Sequence, residues 1–309
     1  MPGNARHHAA VTRPSLATHA RRALDEARVP HGAKVLVACS GGGDSQVLLD
    51  VLAHVARTGG RISIVGHGVD HGLRAEAAEE LALAAALARS HDVPFGVTRV
   101  DVAPGGNLQA RARTARHRAL HAAMTSAGAS FVATAHHLDD RAETVVIRLL
   151  RGAPLAGLAV LPVRSNELLH PLVRATKSEL QAHAARKSIP FARDPSNLDR
   201  KHLRVRVRLE VLPLLRELDP RIAEHLVALA EQAAVVAPPS SERDALRRAS
   251  SSRALAALDS AEGARNPRAR ILLRDGKTAR WDALRGVVIT APCVHEASSR
   301  RVRSRGERG

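Results

Sequence analysis

Aromatic side chains are nearly missing from this 309-residue chain: three Phe, one Trp and no Tyr. Stacking platforms for unpaired nucleobases are built from such rings, so recognition of nucleic acid here would lean on Arg, backbone and shape. Cysteine is equally scarce. Cys39 and Cys293 alone cannot build a disulfide framework or a four-thiolate metal site. No stretch approaches the roughly 20 uninterrupted apolar residues of a membrane span, and residues 1–10 contain no apolar run of signal-peptide length. A soluble, cytoplasmic protein without membrane association is expected. Acid is in short supply as well, 30 Asp and Glu against 47 Lys and Arg, for a net charge of +17. Lysine occurs only at 34, 177, 187, 201 and 277, so the charge is carried by Arg. Basic surface gains by releasing phosphate counterions, which points to a polyanionic partner. An Arg-biased composition alone would also raise the charge.

What the chain does contain is alternation. Lys34 to Cys39 is a short apolar run bounded by turn residues, as in a buried strand, and Val47, Leu48, Val51, Leu52 and Val55 follow at helical spacing. Arg61 to Val69 reads as a strand, Ala75 to Ser90 as a helix, Val93 to Val102 as extended, Leu108 to Ala127 as a helix and Ala129 to Ala135 as a strand. A helix follows from Glu143 to Leu150. This order predicts an α/β fold: an open, mostly parallel sheet with helices on both faces, then a helical region and a small C-terminal segment. From Arg200 to Leu218, apolar residues recur every four positions while Arg and Val also alternate, so periodicity leaves helix and strand both open. Ala237-Pro-Pro-Ser-Ser241 has the composition of a linker, and Ile271 to Thr290, interrupted at Asp275-Gly276, reads as a small β element.

Three polar clusters, at 40–45, 70–74 and 136–143, fall just after predicted strands, where open α/β sheets bind ligands. In the first, Ser40-Gly41-Gly42-Gly43-Asp44-Ser45, consecutive glycines let backbone N–H groups turn inward, and the following helix aims its N-terminal dipole at the same point. Such a nest holds phosphate. It lacks the Lys of the GxxxxGK[ST] loop and does not match GxGxxG. Asp44 would repel a bare anion, a conflict that Mg2+ bridging carboxylate and phosphates resolves. The plainer alternative is a glycine turn with Asp44 and Ser45 capping a helix. Asp140 and Glu143 stand in a D-x-x-E spacing that is also a capping signature. Arg113 and Arg116 lie three apart on one helix face, which by itself would be a solvated basic face.

Residues 37–45 resemble the SGGxDS loop of the PP-loop ATP pyrophosphatases, which cleave ATP between the α and β phosphates to adenylate a substrate oxygen. Val69-Asp-His-Gly-Leu-Arg74, Ala135-His-His-Leu-Asp-Asp-Arg-Ala-Glu-Thr144, and Arg151-Gly152 with Gly157-Leu158 narrow the likeness to the tRNA(Ile)-lysidine synthase family. Arg193-Asp-Pro-Ser-Asn197 and Val211-Leu-Pro-Leu-Leu215 match it in order and spacing, and the resemblance covers about residues 33–220. It implies an adenine-nucleotide α-hydrolase-like fold for the ATP-binding catalytic domain at 31–220; around it the sequence itself places an N-terminal helical extension at 1–30 and, at 221–309, a C-terminal helix, linker and basic segment that is a candidate small tRNA-contacting element. The activity implied is ATP-dependent ligation of free L-lysine to C2 of the wobble cytidine of an isoleucine tRNA with a CAU anticodon. The tRNA base is first adenylated with release of pyrophosphate, and the lysine amine then displaces AMP.

The same resemblance assigns roles. Ser40, Gly41, Gly42, Gly43, Asp44, Ser45, His71 and Arg74 would hold ATP, with Asp44 also serving Mg2+; Asp44, Asp140, Glu143 and Arg113 would carry the chemistry; and His136, Asp139, Arg116, Arg151, Arg204 and Arg208 would bind the substrates. Lysine must lose a proton before it attacks, and adjacent carboxylates can bind the ammonium and accept it; Asp139, Asp140 and Glu143 all remain candidates for that base. Gln109, His117 and Val205 stand where the family commonly has Glu, Tyr and Asn, which weakens a carboxylate role at 109 and an anticodon-region contact at 205. A homodimer is compatible with all of this. Two other readings share the motifs: a PP-loop tRNA thiolase, of which those that use cysteine pairs or an iron–sulfur cluster need thiols this chain lacks, and a non-catalytic nucleotide- or RNA-binding module, which would not require Asp44, Asp140 and Glu143.

Overall fold

The computed structural model describes residues 14–70, 72, 76–101, 108–192 and 199–236, together with short strands at 270–272, 278–282 and 286–290. The chain divides into two units, Met1–Val236 and Ala237–Gly309. The first begins α1 (Leu16–Glu26), β1 (Ala33–Cys39), α2 (Gly43–Gly59), β2 (Ile62–Asp70), α3 (Ala77–Ser90), β3 (Phe95–Arg99), α4 (Leu108–Ser126), β4 (Phe131–Ala133) and α5 (Leu138–Leu150). A hairpin of β5 (Arg164–Ser165) and β6 (Leu168–Leu169) leads to α6 (Lys177–Arg186), α7 (Leu203–Arg206), α8 (Leu212–Leu218) and α9 (Ile222–Val236).

The six strands lie in the order β3-β2-β1-β4-β6-β5, all parallel except the β5–β6 hairpin. The apolar run of β1 serves both faces by simple alternation. Val35, Val37 and Cys39 pack with α1, α2 and α6 in the largest core. Leu36 points the other way, to Leu120 and Met124 of α4 and Val132 of β4. A strand buried on both faces is the reason this run has no polar alternation. Residues of α1 (Leu16, Ala20, Ala23 and Leu24) belong to the largest core as well.

The ambiguous Arg-rich segment is helical. Val207 and Leu212 are five residues apart, yet both are fully buried against α5 and α9. A π-helical turn at Val207–Val211 between α7 and α8 supplies the extra residue that lets both reach the same core. α5 starts at Leu138, five residues before the helix expected from the apolar pattern, because His137 and Asp140 form a reciprocal cap there. In the second unit, β7 (Arg270–Leu272), β8 (Thr278–Asp282) and β9 (Gly286–Thr290) form an antiparallel three-stranded sheet. No described helix is long and apolar enough to cross a membrane.

Candidate active site

The chain runs outward from β1 through β2 to β3, then returns to place β4 on the other side of β1. The segments leaving the carboxyl ends of β1 and β4 therefore diverge from one crevice, the topological switch point at which such sheets bind ligands. The β1 segment is the glycine loop, and the β4 segment carries His136, His137 and the acids of α5.

Three helix N-termini meet there, and they differ in one respect. α5 is closed by the His137–Asp140 cap and α6 by a Thr176–Glu179 capping box. α2 begins at Gly42 with no side-chain cap, so its first N–H groups are left for a ligand. The loop is held open from below. Ser45 Oγ donates to the Gly42 carbonyl at 2.8 Å and accepts from Ser40 N at 3.1 Å. Gly41 sits at φ +75°, and a Cβ there would meet the Glu80 carbonyl oxygen at 2.2 Å. The Phe191 ring packs over Gly43, whose Cβ would lie 3.3 Å from it.

Asp44, in the first turn of α2, accepts from Lys177 Nζ at 2.5 Å and lies 3.7 Å from His137 Nε2. Burial alone would raise its carboxyl; His137 and the Lys177 ammonium outweigh that and hold it down to about 2. His137 is buried, and its Nδ1 accepts the Asp140 amide at 3.3 Å, which leaves the proton on Nε2, facing Asp44 and Asp140. Burial opposes a charge on the ring, but Asp44, Asp140 and Asp139 raise its proton affinity above the ordinary value.

The remaining acids are already occupied. Glu143, 1 % exposed, accepts from Arg204 Nε at 2.9 Å and from Arg208 at 2.6 and 3.0 Å. Asp139 accepts the Lys177 amide at 2.7 Å and pairs with Arg216. Asp140 is committed through one oxygen only: Oδ2 accepts from His137 N at 3.2 Å, while Oδ1 lies 3.6 and 3.8 Å from Arg208 and Arg204, beyond hydrogen-bonding distance. Asp44, His137, Asp139, Glu143, Lys177 and Arg208 line a cavity of about 490 Å³ that continues to α9.

A basic cluster lies near His136. Its Nδ1 is 2.9 Å from Thr134 Oγ1, and its ring meets His170 edge-on, with centroids 5.0 Å apart. Burial first, then the positive field of His170, Arg204, Arg113 and Arg116, holds His136 down to about 3, so it is a neutral imidazole. Arg113 and Arg116 are exposed on α4 and make no ion pair among the described residues.

Of the expected site residues, the structure brings Asp44, Asp139, Asp140, Glu143, His136, Arg204 and Arg208 together beside the glycine loop. Arg151 is not among them; it caps the far end of α5, about 18 Å from Asp139 by helix rise. His71, Arg74 and the 193–197 motif lie outside the described residues. Val205 is buried, so it packs inward and presents no polar contact. Sequence reasoning missed Lys177, His137 and Arg216. Their signal was weak but real: Lys177 is one of five lysines and is the first helical residue inside a T-x-x-E capping box, directly after Thr176.

The residues fit an adenosine polyphosphate with Mg2+. An uncapped helix N-terminus suits phosphate, and Asp44 is the single carboxylate on the loop, in keeping with a metal that takes one protein carboxylate and finds its other ligands in phosphates and water. Among the described residues no cluster of three or more ligating side chains forms a metal site of its own. Cys39 is buried, and its thiol is pushed up to about 12 by desolvation, which removes it as a nucleophile.

Residues 15–215 match the model of the PP-loop domain. The chain is 42% identical to the tRNA(Ile)-lysidine synthase of Pseudomonas aeruginosa over 58% of its own length and 41% of that protein. It is 41% identical to the tRNA(Ile)-lysidine synthase of Salinispora tropica over 70% of its length and 67% of that protein. The chain thus spans about two-fifths to two-thirds of these curated relatives. Among solved structures, a U34-tRNA thiolase from Methanococcus maripaludis superposes with a TM-score of 0.62 at 18% identity, covering 71% of this chain and 77% of that one; at this identity the likeness is one of fold.

Proposed function

Because the chain belongs to the PP-loop family and, within it, to the tRNA(Ile)-lysidine synthases, we propose that it ligates L-lysine to C2 of the wobble cytidine of a CAU-anticodon isoleucine tRNA, consuming ATP and releasing pyrophosphate and AMP. The observation that carries this reading is the meeting of an open helix N-terminus with the α5 acids on one cavity. An anion nest alone binds nucleotide; Asp140 beside it, the α5 acid with an oxygen beyond hydrogen-bonding distance of its neighbours, serves a cationic co-substrate.

The residues divide the work. Ser40 to Ser45 hold the polyphosphate, and Asp44 is the carboxylate that would hold Mg2+, which would supply charge neutralisation to the phosphates. Arg113 and Arg116, exposed and without an ion pair among the described residues, contact phosphate or the cytidine, for which planar guanidinium groups are suited. Neutral His136 donates or accepts a hydrogen bond without adding charge. Glu143 anchors Arg204 and Arg208, so its role is to fix two guanidinium groups at the cavity wall. Asp140, with one carboxylate oxygen uncommitted, is the group left to take the proton from the ε-ammonium of L-lysine. The reaction places the protein in the cytoplasm with its tRNA.

Labelled L-lysine, ATP and CAU-anticodon isoleucine tRNA test the reading directly. Label is expected in that tRNA, one pyrophosphate per lysine, and none in a methionine tRNA. Folded protein that leaves the tRNA unlabelled overturns it.

A further inference from the structure

α2 and α6 are joined at two matching rungs. Asp44 and Asp50 are six residues apart on α2, and Lys177 and His183 are six apart on α6. The lower rung is buried: His183 Nε2 lies 2.7 Å from Asp50 Oδ2, and His91 Nε2 lies 3.0 Å from Oδ1. The upper rung, Lys177 to Asp44, is 41 and 33 % exposed and stands at the uncapped N-terminus of α2. A cation beside an open anion nest, tied to the one carboxylate a metal would need, is in the wrong pairing for a loaded site. Were Asp44 to hold a divalent cation, Lys177 would be left without this partner beside the phosphate-binding loop.

We infer that Lys177 is an exchangeable counter-ion of the glycine loop: it neutralises Asp44 in the empty site and passes to the polyphosphate when a nucleotide binds, while the Asp50–His183–His91 rung keeps α6 in register. The groups facing it are Asp44 from α2, Asp139 from α5, which accepts the Lys177 amide, and His137. This rests on ATP being the ligand of the loop and adds a residue and an exchange step to it.

Calorimetric titration of the whole chain with ATP, inorganic pyrophosphate and adenosine tests the exchange without turnover. Lys177→Met is expected to weaken ATP and pyrophosphate by about tenfold or more, the scale of one charge-assisted hydrogen bond, and to leave adenosine unchanged. Lys177→Arg stays within about threefold of wild type. Asp44→Asn frees the ammonium beforehand, so metal-free pyrophosphate binds it more tightly than wild type, and that gain disappears in the double variant with Lys177→Met. Unchanged or tighter pyrophosphate binding by Lys177→Met overturns the inference, as does an Asp44→Asn gain that persists in the double variant. Wild-type protein that binds neither ATP nor pyrophosphate overturns the ATP reading too; binding that Lys177→Met fully retains overturns only the exchange.

Discussion

The two walls of the candidate site are built on opposite principles. On the β1 side the glycine loop presents a helix N-terminus with no side-chain cap and a single acid, Asp44. On the β4 side the N-termini of α5 and α6 are capped by their own side chains, and Glu143 and Asp139 are saturated by Arg204, Arg208 and Arg216. One wall is prepared for a ligand whose charge it lacks; the other has neutralised itself. Preorganised donors cost nothing to reorganise when phosphate arrives. A self-neutralised wall accepts a substrate only through groups with spare capacity, which here means Asp140 and, without an ion pair among the described residues, Arg113 and Arg116. Nucleotide and amine are thus distinguished by how much of each wall is already spoken for.

The sharpest way to break this comparison is to remove the charge of the open wall. Asp44→Ala is expected to lower the rate of tRNA-dependent pyrophosphate release by about 10²–10³-fold, the range for losing one electrostatic stabiliser, while tRNA affinity, measured by filter binding, stays near wild type. Loss of tRNA binding in parallel would mean that Asp44 supports the fold and not the nucleotide.

On the closed wall the same kind of change acts through structure. Glu143→Gln removes the shared partner of two guanidinium groups. Breaking a buried pair costs about 3–5 kcal/mol when both partners are enclosed, and less when the cations are part-exposed as here. A loss of about 1–3 kcal/mol in urea unfolding is expected, with turnover reduced and nucleotide affinity retained. A variant as stable as wild type would show that the pairing of Arg204 and Arg208 with Glu143 contributes nothing to the fold.

Much of the open wall was legible in the sequence, and little of the closed one. The glycine run, the apolar strand before it and the helical spacing after it are local signals, and β1, the loop and α2 follow from them. The order of strands and helices likewise anticipated the parallel sheet. What local spacing could not reveal is who pairs with whom at a distance. Glu143 was visible as an acid, but that it is 1 % exposed and shared by residues 61 and 65 positions away depends on the packing of α7 against α5. Lys177 reaches Asp44 across 133 positions for the same reason. Arg204 and Arg208 looked like tRNA contacts because their charge is plain in the sequence and their partner is not. The D-x-x-E spacing hid a cap that runs from His137 to Asp140, because a histidine is an unusual helix N-cap.

Acid sharpens the comparison further, since the Asp44 carboxyl is held down to about 2 from 3.8. A carboxyl lowered on folding contributes stability that is present above its unfolded value and is lost as pH falls through its folded value. Wild type is therefore expected to lead Asp44→Asn in thermal stability at pH 5, and the lead is expected to fade between about pH 4 and pH 2. A lead that is flat across this window would separate Asp44 from Lys177 and His137 in solution.

The smallest expected effect concerns surface Arg, where α4 and the Arg204–Arg208 segment differ in charge left over for a ligand. Arg113 and Arg116 make no ion pair among the described residues, so each can release counterions from a bound phosphate. Arg204 and Arg208 are already spent on Glu143. Replacing Arg113 or Arg116 with Ala is expected to reduce the slope of log affinity for tRNA against log salt by about 0.7–0.9 for each phosphate no longer neutralised. Replacing Arg151, at the far end of α5, is expected to leave nucleotide binding unchanged and stability within about 0.5 kcal/mol, although the family resemblance places it among the substrate-binding residues. A salt slope that falls as much for Arg151→Ala as for Arg113→Ala would extend the tRNA footprint from α4 to the far end of α5 and remove the contrast between Arg113 and Arg151.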